Sequence, residues 1–209
     1  MNHLVKSLNT SLIKFLLLIS CSFLFLFPVV AEDTLYERGK ELVDQKEYIQ
    51  AIKAFEFGAQ TGDLDAMTAA GIMYIAGIGA IQDDAKGFKY IEDAAIKSHP
   101  KAQYTLGAVY YLGAGVDVDF NLAFKWISLS AAQGYLDAQH NLAEMYETGK
   151  GVAQNYKKAY EYYIKSARLN NVDSQIKVAE MYKEGIGTEK NLEKSTYWLK
   201  KIEESKAKN

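Results

Sequence analysis

The small and apolar positions of residues 66 to 205 follow one pattern that returns every 36 residues. Each period contains two stretches in which apolar residues recur three or four positions apart, which is the spacing of an amphipathic α-helix. The first stretches, named A helices, are predicted over 66–76, 102–112, 138–148 and 174–184. The second stretches, named B helices, are predicted over 84–97, 120–133, 156–169 and 192–205. The pattern therefore predicts four consecutive helix pairs.

A small residue lies three positions before a tyrosine in every A helix. Gly or Ala at this place leaves room for a second helix to approach, and the tyrosine ring fills the neighbouring space. The pairs are Gly71 with Tyr74, Gly107 with Tyr110, Ala143 with Tyr146 and Ala179 with Tyr182. We therefore expect each A helix to pack closely against another helix.

Two glycines, two positions apart, follow each A helix, as Gly113 and Gly115 do in the second unit. The first glycine suits a left-handed helix cap, and the second lets the chain reverse without a clash at Cβ. An Asp or Asn such as Asp119 precedes each B helix and can accept bonds from its free amides. A dinucleotide-binding loop would follow a strand and carry a third glycine. The glycine pairs are therefore predicted to turn the chain and not to bind phosphate.

Residues 32–65 precede the 36-residue register and are predicted to form one more helical pair. Their small and aromatic residues have spacings closer to those of a tetratricopeptide repeat, and the turn at 44–48 is shorter. The residues with this spacing are Gly39, Ala51, Phe55 and Ala59. We interpret this segment as a divergent first repeat or a cap.

The second unit carries a family resemblance. Residues 102–116 read Ala-x-x-x-Leu-Gly-x-x-Tyr-x-x-Gly-x-Gly-Val, and residues 119–134 read Asp-x-x-x-Ala-x-x-Trp-x-x-x-x-Ala-Ala-x-Gly. This pattern resembles the Sel1-like repeat, a longer-turn relative of the tetratricopeptide repeat, and extends from residue 66 to about 202. The resemblance implies an all-α, right-handed α/α solenoid. Its units are expected at 66–101, 102–137, 138–173 and 174–209. Ile81, Ser98 and Ile202 depart from the pattern.

Residues 1–31 have the order of an export signal. Lys6 and Lys14 give a positive start, residues 15–27 are apolar, and cleavage is predicted after Ala31. Two alternatives remain open. One is an uncleaved anchor, although the apolar stretch is short for a span of about 20 residues. The other is a lipoprotein attached through Cys21. We expect an exported protein without a membrane span, in the periplasm or secreted.

Charge and residue types exclude several functions. Without the leader, 22 basic and 26 acidic residues remain, and this net charge of −4 does not suit nucleic acid. Cys21 is the only cysteine and lies in the leader, so no thiol chemistry is expected in the exported part. His99 and His140 lack a partner at metal-ligand spacing and are predicted to be surface residues. No serine has a hydrolase motif. We therefore predict no catalytic residue, no cofactor and no metal.

In a stack of helix pairs, the A helices are expected to line a concave inner surface. In the second unit, the positions half a turn from the packing face should point into it. These positions are Tyr104, Ala108, Tyr111 and Leu112. The equivalent positions in the other units are Thr68, Ile72, Ile75 and Ala76, then His140, Glu144, Glu147 and Thr148, then Ile176, Glu180, Lys183 and Glu184.

The predicted groove is apolar in its first half and acidic in its second half. Exposed aromatic residues favour a protein or peptide partner, and acidic residues select a basic one, so we predict an apolar-then-basic segment. The candidate partner-binding residues are Ile72, Ile75, Tyr104, Tyr111, Leu112, His140, Glu144, Glu147, Glu180 and Glu184. In the alternative interpretation, the apolar residues other than Tyr104 are partly covered by neighbouring A helices.

The expected function is that of a monomeric, non-catalytic adaptor or scaffold in the bacterial envelope. One alternative is a secreted virulence or host-interaction factor, which the same export signal permits. Another is a hydrolase of the β-lactamase-like kind, since some cysteine-rich proteins resembling this repeat have been linked to that activity. The exported part of this chain has no cysteine, which argues against the hydrolase.

Overall fold

The structure, a computed structural model, describes residues 34–206. Every regular element in these residues is an α-helix, and the helices follow one another as pairs. They are α1 (Leu35–Asp44), α2 (Tyr48–Gln60), α3 (Leu64–Ala76), α4 (Asp84–Ile96), α5 (Pro100–Leu112), α6 (Phe120–Ala132), α7 (Leu136–Thr148), α8 (Tyr156–Arg168), α9 (Val172–Glu184) and α10 (Leu192–Lys206). The A helices are α3, α5, α7 and α9, and the B helices are α4, α6, α8 and α10. The predicted leader lies outside the described residues.

The predicted helices are confirmed, but the A helices begin two residues earlier than the 36-residue pattern indicated. Side-chain caps explain several of these starts. Asp63 accepts a hydrogen bond from the amide of Ala66 at the start of α3, and Asn171 does the same for Ser174 at the start of α9. Such caps satisfy amides that have no partner within the helix. The pattern of small and aromatic residues did not include these caps.

The predicted B-helix caps are also confirmed. The side chain of Asp119 accepts hydrogen bonds from the amides of Asn121 and Leu122, each at 2.9 Å. The other members of this series make the equivalent bond to one amide. They are Asp83, Asn155 and Asn191. Each B helix therefore begins where the sequence places an Asp or Asn.

The first glycine of each turn caps its A helix in the left-handed conformation, as predicted. The four φ angles are 64° at Gly77, 71° at Gly113, 75° at Gly149 and 75° at Gly185. The left-handed conformation also occurs in the turns that follow the B helices α4, α6 and α8. Ser98, which departs from the repeat pattern, has φ 63° where the equivalent Gly134 has φ 87°. The serine therefore keeps the turn geometry and adopts a conformation that is unfavourable for a residue with a side chain.

The second glycine of each turn has a role beyond reversing the chain. Gly151 lies against the main-chain carbonyl of Phe120, and Gly187 lies against that of Tyr156. Gly79 has the same contact with Tyr48. In each case the neighbour opens a helix of the preceding unit, and a Cβ would occupy its space. These glycines therefore allow successive units to pack closely.

The helices pack as an all-α solenoid in which each helix contacts its neighbours in the chain. The small A-helix residues lie against B helices, as predicted. A methyl group on Gly71 would come within 2.6 Å of Ile91, and one on Gly107 within 2.5 Å of Ile127. Both isoleucines are completely buried. In the first pair, Gly39 of α1 lies in the same way against the ring of Phe55 in α2.

A bilayer crossing needs a long apolar helix, and no helix within residues 34–206 meets that requirement.

Candidate partner-binding groove

The A helices form one side of the stack. Helix α1, the first helix of the N-terminal pair, contacts the A helix α3 directly, and α3 contacts the A helix α5. Within residues 34–206, no two B helices contact each other as extensively. In a curved stack, the helices on the inner side come closer together. In the first units the A helices therefore lie on the inner side, and farther along the stack pockets open between α5, α7 and α9.

An apolar pocket of about 200 Å³ opens between α5 and α7. All four outward positions of the second unit line it, and two buried side chains, Ile127 and Met145, close its base. The four are Tyr104, Ala108, Tyr111 and Leu112. Asn141 and Glu144 of α7 complete the lining. Leu112 is 72% exposed and forms the open edge.

The two tyrosines of this pocket are held in place by the third unit. Asn141 Nδ2 donates to Tyr104 Oη at 3.1 Å, and the Tyr104 ring lies 5.3 Å from that of Tyr135. Lys150 Nζ donates to Tyr111 Oη at 2.7 Å and also lies over its ring. Burial raises the pKa of Tyr104 above its ordinary value. Both tyrosines therefore present a fixed face to the pocket while their hydroxyl groups are already bonded.

The first unit contributes less than predicted. Ile72 is 41% exposed, but Ile75 is partly buried and lies against Gly87 of α4. Thr68, which was expected to face the groove, is fully buried, and its Oγ1 donates to the Leu64 carbonyl at 2.7 Å. That expectation was wrong, because a small side chain here lies where α3 and α5 pack directly together.

An acidic pocket of about 560 Å³ continues along the groove between α7 and α9. The buried ring of Tyr163 from α8 lies at its base. Around it stand His140, Glu144, Glu147, Thr148, Asp173, Ile176, Lys177 and Glu180. Glu144 belongs to the lining of both pockets and therefore marks the change from apolar to acidic surface.

Glu147 is already partnered inside the protein. Tyr163 Oη donates to Glu147 Oε2 at 2.6 Å, and Lys177 Nζ lies 3.2 Å from the same oxygen. Burial and then the bond to Glu147 raise the pKa of Tyr163 well above its ordinary value. Sequence reasoning missed Tyr163 and Lys177, because neither lies on the predicted inner face.

Glu144, Asp173 and Glu180 are the exposed acids of the acidic pocket, and within residues 34–206 none of them makes an ion pair. Glu184 lies 3.5 Å from the ammonium group of its neighbour Lys183. It lines a further pocket of about 300 Å³ with Glu147, Glu180 and Ile186. The acidic half of the groove therefore has three exposed carboxylates without an ion pair, and a fourth that is weakly paired.

His140 lines the acidic pocket and is partly buried. Its Nδ1 lies 2.8 Å from the hydroxyl oxygen of Ser174 in the next unit. A serine next to a histidine is the geometry of an activated nucleophile. The Ser174 side chain is completely buried, however, and cannot reach a substrate. This pair joins the third and fourth units.

His99 is more buried than a plain surface residue, with a side chain that is 16% exposed. Its Nδ1 accepts from the amide of Ala102 at 3.3 Å and caps α5, while Nε2 lies 3.4 Å from the Asp65 carboxylate. Within residues 34–206, no group of three metal-ligating side chains is placed to hold an ion.

The stacked helix pairs and their open inner groove define an α-helical repeat protein of the interaction class. The family model of the Sel1 repeat matches residues 64–99, 100–135, 136–171 and 172–204. The chain therefore belongs to the Sel1 repeat family. Proteins with this repeat are generally scaffolds for protein interactions, and the fold is typically non-catalytic.

Two solved structures show the same architecture. The first is c5321, a protective antigen present in uropathogenic Escherichia coli strains, at 33% identity and a TM-score of 0.73. The match covers 84% of this chain and 39% of that one. The second is a Sel1 repeat protein from Oxalobacter formigenes, at 28% identity and a TM-score of 0.70, covering 76% and 46%. This chain thus spans less than half of either solved chain. A search of curated proteins finds no match.

Proposed function

We propose that this protein is a non-catalytic scaffold of the bacterial envelope that binds another protein or a peptide in its A-helix groove. One observation carries the proposal: an apolar pocket between α5 and α7 passes directly into an acidic pocket between α7 and α9, with Glu144 in the wall of both. A partner that lies along these helices contacts both surfaces in succession.

The chemistry of the two pockets supports an apolar-then-basic partner. Tyr104 and Tyr111 are rigid aromatic walls that cost little conformational entropy on binding, because the third unit already holds them. The exposed carboxylates of Glu144 and Glu180 favour a lysine or an arginine beyond the apolar side chain. Glu147 is neutralised by Lys177 and contributes to the shape of the pocket more than to its charge.

The envelope location rests on the sequence of residues 1–31, with its basic start, its apolar stretch and Ala31 at the cleavage position. Anchoring by this segment and lipidation at Cys21 remain alternatives to cleavage. Fractionation of the producing cells, with N-terminal sequencing of the recovered protein, distinguishes the three. A new N-terminus at Glu32 in the periplasmic fraction supports cleavage. A membrane-bound protein that keeps Met1 supports the anchor, and one that begins at a lipid-modified Cys21 supports the lipoprotein.

A secreted host-interaction factor is the second candidate, favoured by the likeness to c5321. That protein is described as a protective antigen present in uropathogenic strains, and this chain is 33% identical to it over the matched part. Recovery of the protein from the culture medium, and not from the periplasm, supports this candidate over a resident scaffold.

Photocrosslinking tests the groove as the binding surface. A photoreactive residue replaces Leu112, which is 72% exposed at the edge of the apolar pocket, or Leu129, which is 43% exposed on α6. We expect a discrete crosslinked partner in cells from position 112 and none from position 129. The same products from both positions, or none from position 112, contradict binding in the groove.

A further inference from the structure

The apolar pocket has a small residue in its lining. Ala108 lies one helical turn after Tyr104 and one turn before Tyr111 and Leu112, and all four line the pocket. The other units carry a larger residue at this register. These residues are Ile72, Glu144 and Glu180. A side chain of that size at position 108 would extend into the space between the two tyrosines, so the pocket depends on the alanine.

The walls around Ala108 are fixed before a partner binds. Tyr104 accepts a hydrogen bond from Asn141, and Tyr111 accepts one from Lys150. Two buried side chains close the base. Binding therefore does not have to order the pocket, and its shape can select a side chain by size.

The size of the pocket suits one phenyl ring. An apolar cavity of about 150 Å³ in a protein interior is large enough to bind benzene. The pocket beside Ala108 has a volume of about 200 Å³ and two aromatic walls. Aromatic rings pack favourably against each other edge to face or with an offset. A smaller side chain would leave part of the pocket empty, and the atoms that face an empty space lose contacts.

The pocket also contains a carboxylate that lacks an ion-pair partner. Glu144 belongs to its lining, is exposed, and makes no ion pair within residues 34–206. Lys150 is attracted by Glu144, but its ammonium group donates to the Tyr111 hydroxyl instead. A ligand seated in the pocket therefore meets a free negative charge beside the apolar surface, which favours a cation next to the ring.

We propose that Ala108 determines the specificity of the groove, because it opens a pocket for one phenylalanine side chain of the partner, with a positive charge of the partner placed beside the ring for Glu144. This inference rests on the proposed function. It identifies the anchor residue of the partner and the residue of this protein that selects it.

NMR titration of the purified protein with phenethylamine tests the pocket without assuming a peptide conformation. This compound joins a phenyl ring to one ammonium group. We expect chemical-shift changes in the amides of residues 104–112 and 141–145, which surround the pocket. Phenethyl alcohol lacks the charge and should bind about tenfold more weakly. Cyclohexylethylamine lacks the aromatic ring and should bind about threefold more weakly.

Variants at position 108 test the role of the alanine. Ala108→Ile introduces the residue that the first unit has at this register, and it should abolish the binding of phenethylamine. Ala108→Ser differs little in size and should retain the binding. Ala85→Ile, at an exposed alanine on α4, is the matched control and should have no effect. Circular dichroism melting curves establish that each variant remains folded.

A second pair of variants tests the charge. Glu144→Gln should weaken the binding of phenethylamine about tenfold and leave that of phenethyl alcohol unchanged. Glu161→Gln, at an exposed acid on α8, is the control and should change neither. These measurements decide the inference even if Ala108→Ile does not fold.

The outcomes separate this inference from the proposed function. Equal binding of the three compounds, or unchanged binding by Ala108→Ile, overturns the inference. If phenethylamine does not bind in the pocket while position 112 still crosslinks a partner in cells, the inference fails alone. If it binds as expected but position 112 yields no partner, the proposed function fails and the selectivity of the pocket stands. If neither result is obtained, both fail.

Discussion

Gly151 in the turn of the third unit packs directly against the main-chain carbonyl of Phe120, the first residue of α6 in the preceding unit. The same contact occurs between Gly187 and Tyr156 one repeat later. Successive units of the solenoid therefore contact each other here through main-chain atoms. The distance between the units depends on the absence of a Cβ at the glycine.

The first prediction concerns this contact. Gly151→Ala should destabilise the protein by more than the roughly 1–2 kcal/mol expected from placing a side chain at its φ of 69°. The added methyl group also meets the Phe120 carbonyl, so the units must separate. Gly134→Ala is the control, because φ there is 87° but no atom lies within 4 Å of the new Cβ. Urea unfolding measures both, and equal losses would mean that the contact contributes nothing.

The second prediction compares two residues at the same register of the B helices. Ile127 is 1% exposed beneath the next unit, whereas Leu199 is 48% exposed, because no described unit follows α10. Ile127→Ala should cost about 2–5 kcal/mol, and Leu199→Ala less than about 1.5 kcal/mol. Denaturant unfolding measures the two losses. A large loss at Leu199 would show that another chain covers α10 and would contradict the expected monomer.

The third prediction concerns alkaline pH. Tyr163 keeps its proton when folded, because its pKa is raised by burial and by Glu147, whereas in the unfolded chain it ionises near the ordinary value of 10.0. Its contribution to stability is therefore complete below that value and is lost as pH rises above it. Tyr163→Phe should be less stable than the parent near neutral pH, but should lose less of its remaining stability between about pH 9 and about pH 11. Melting temperatures of the two proteins, measured across this pH range, test the prediction. Melting temperatures that fall equally in both proteins would contradict this assignment.

The fourth prediction concerns Glu56, which joins the first helical pair to the next unit. Burial opposes its ionisation, but hydrogen bonds from Lys86 and Tyr74 outweigh this, so the pKa of Glu56 lies below its ordinary 4.5. The carboxylate therefore stabilises the fold above pH 4.5, and that stability is lost as pH falls through its lowered pKa.

Lys86→Met should accordingly raise the pKa of Glu56 and cost about 0.2–1 kcal/mol at low salt, since the pair is partly exposed. Lys89→Met removes an ion pair within α4 only and serves as the control. Carboxyl NMR titration reads the pKa of Glu56 in each protein. An unchanged value in Lys86→Met would refute the assignment.

The helices were predictable because their signals are local. Asp119 and Gly113 cap the helices next to them in the chain, and Gly107 packs against Ile127 of the same unit. A single unit therefore contains the reason for each start, end and close approach. Ser98 shows the limit of this reasoning. The residue is unusual for its place, yet the chain forces it into the left-handed conformation that glycine adopts elsewhere.

The groove was only partly predictable. Rotation about the helix axis identified Tyr104, Tyr111 and Leu112, since outward positions follow from helical geometry alone. The same rotation placed Thr68 in the groove, although α3 and α5 close over it. It also counted Glu147 as a free acid, although Lys177 lies 30 positions away in sequence and 3.2 Å away in space.

The repeat, the helix pairs and the turn geometry follow from the amino-acid sequence alone, because periodicity and capping depend on residues close together in the chain. The change of the inner face from apolar to acidic follows from it as well. Which residues of that face remain available depends on the packing of the units, because partners such as Lys150 for Tyr111 and Ser174 for His140 come from other units. Stacking brings them together, and no local pattern encodes such contacts.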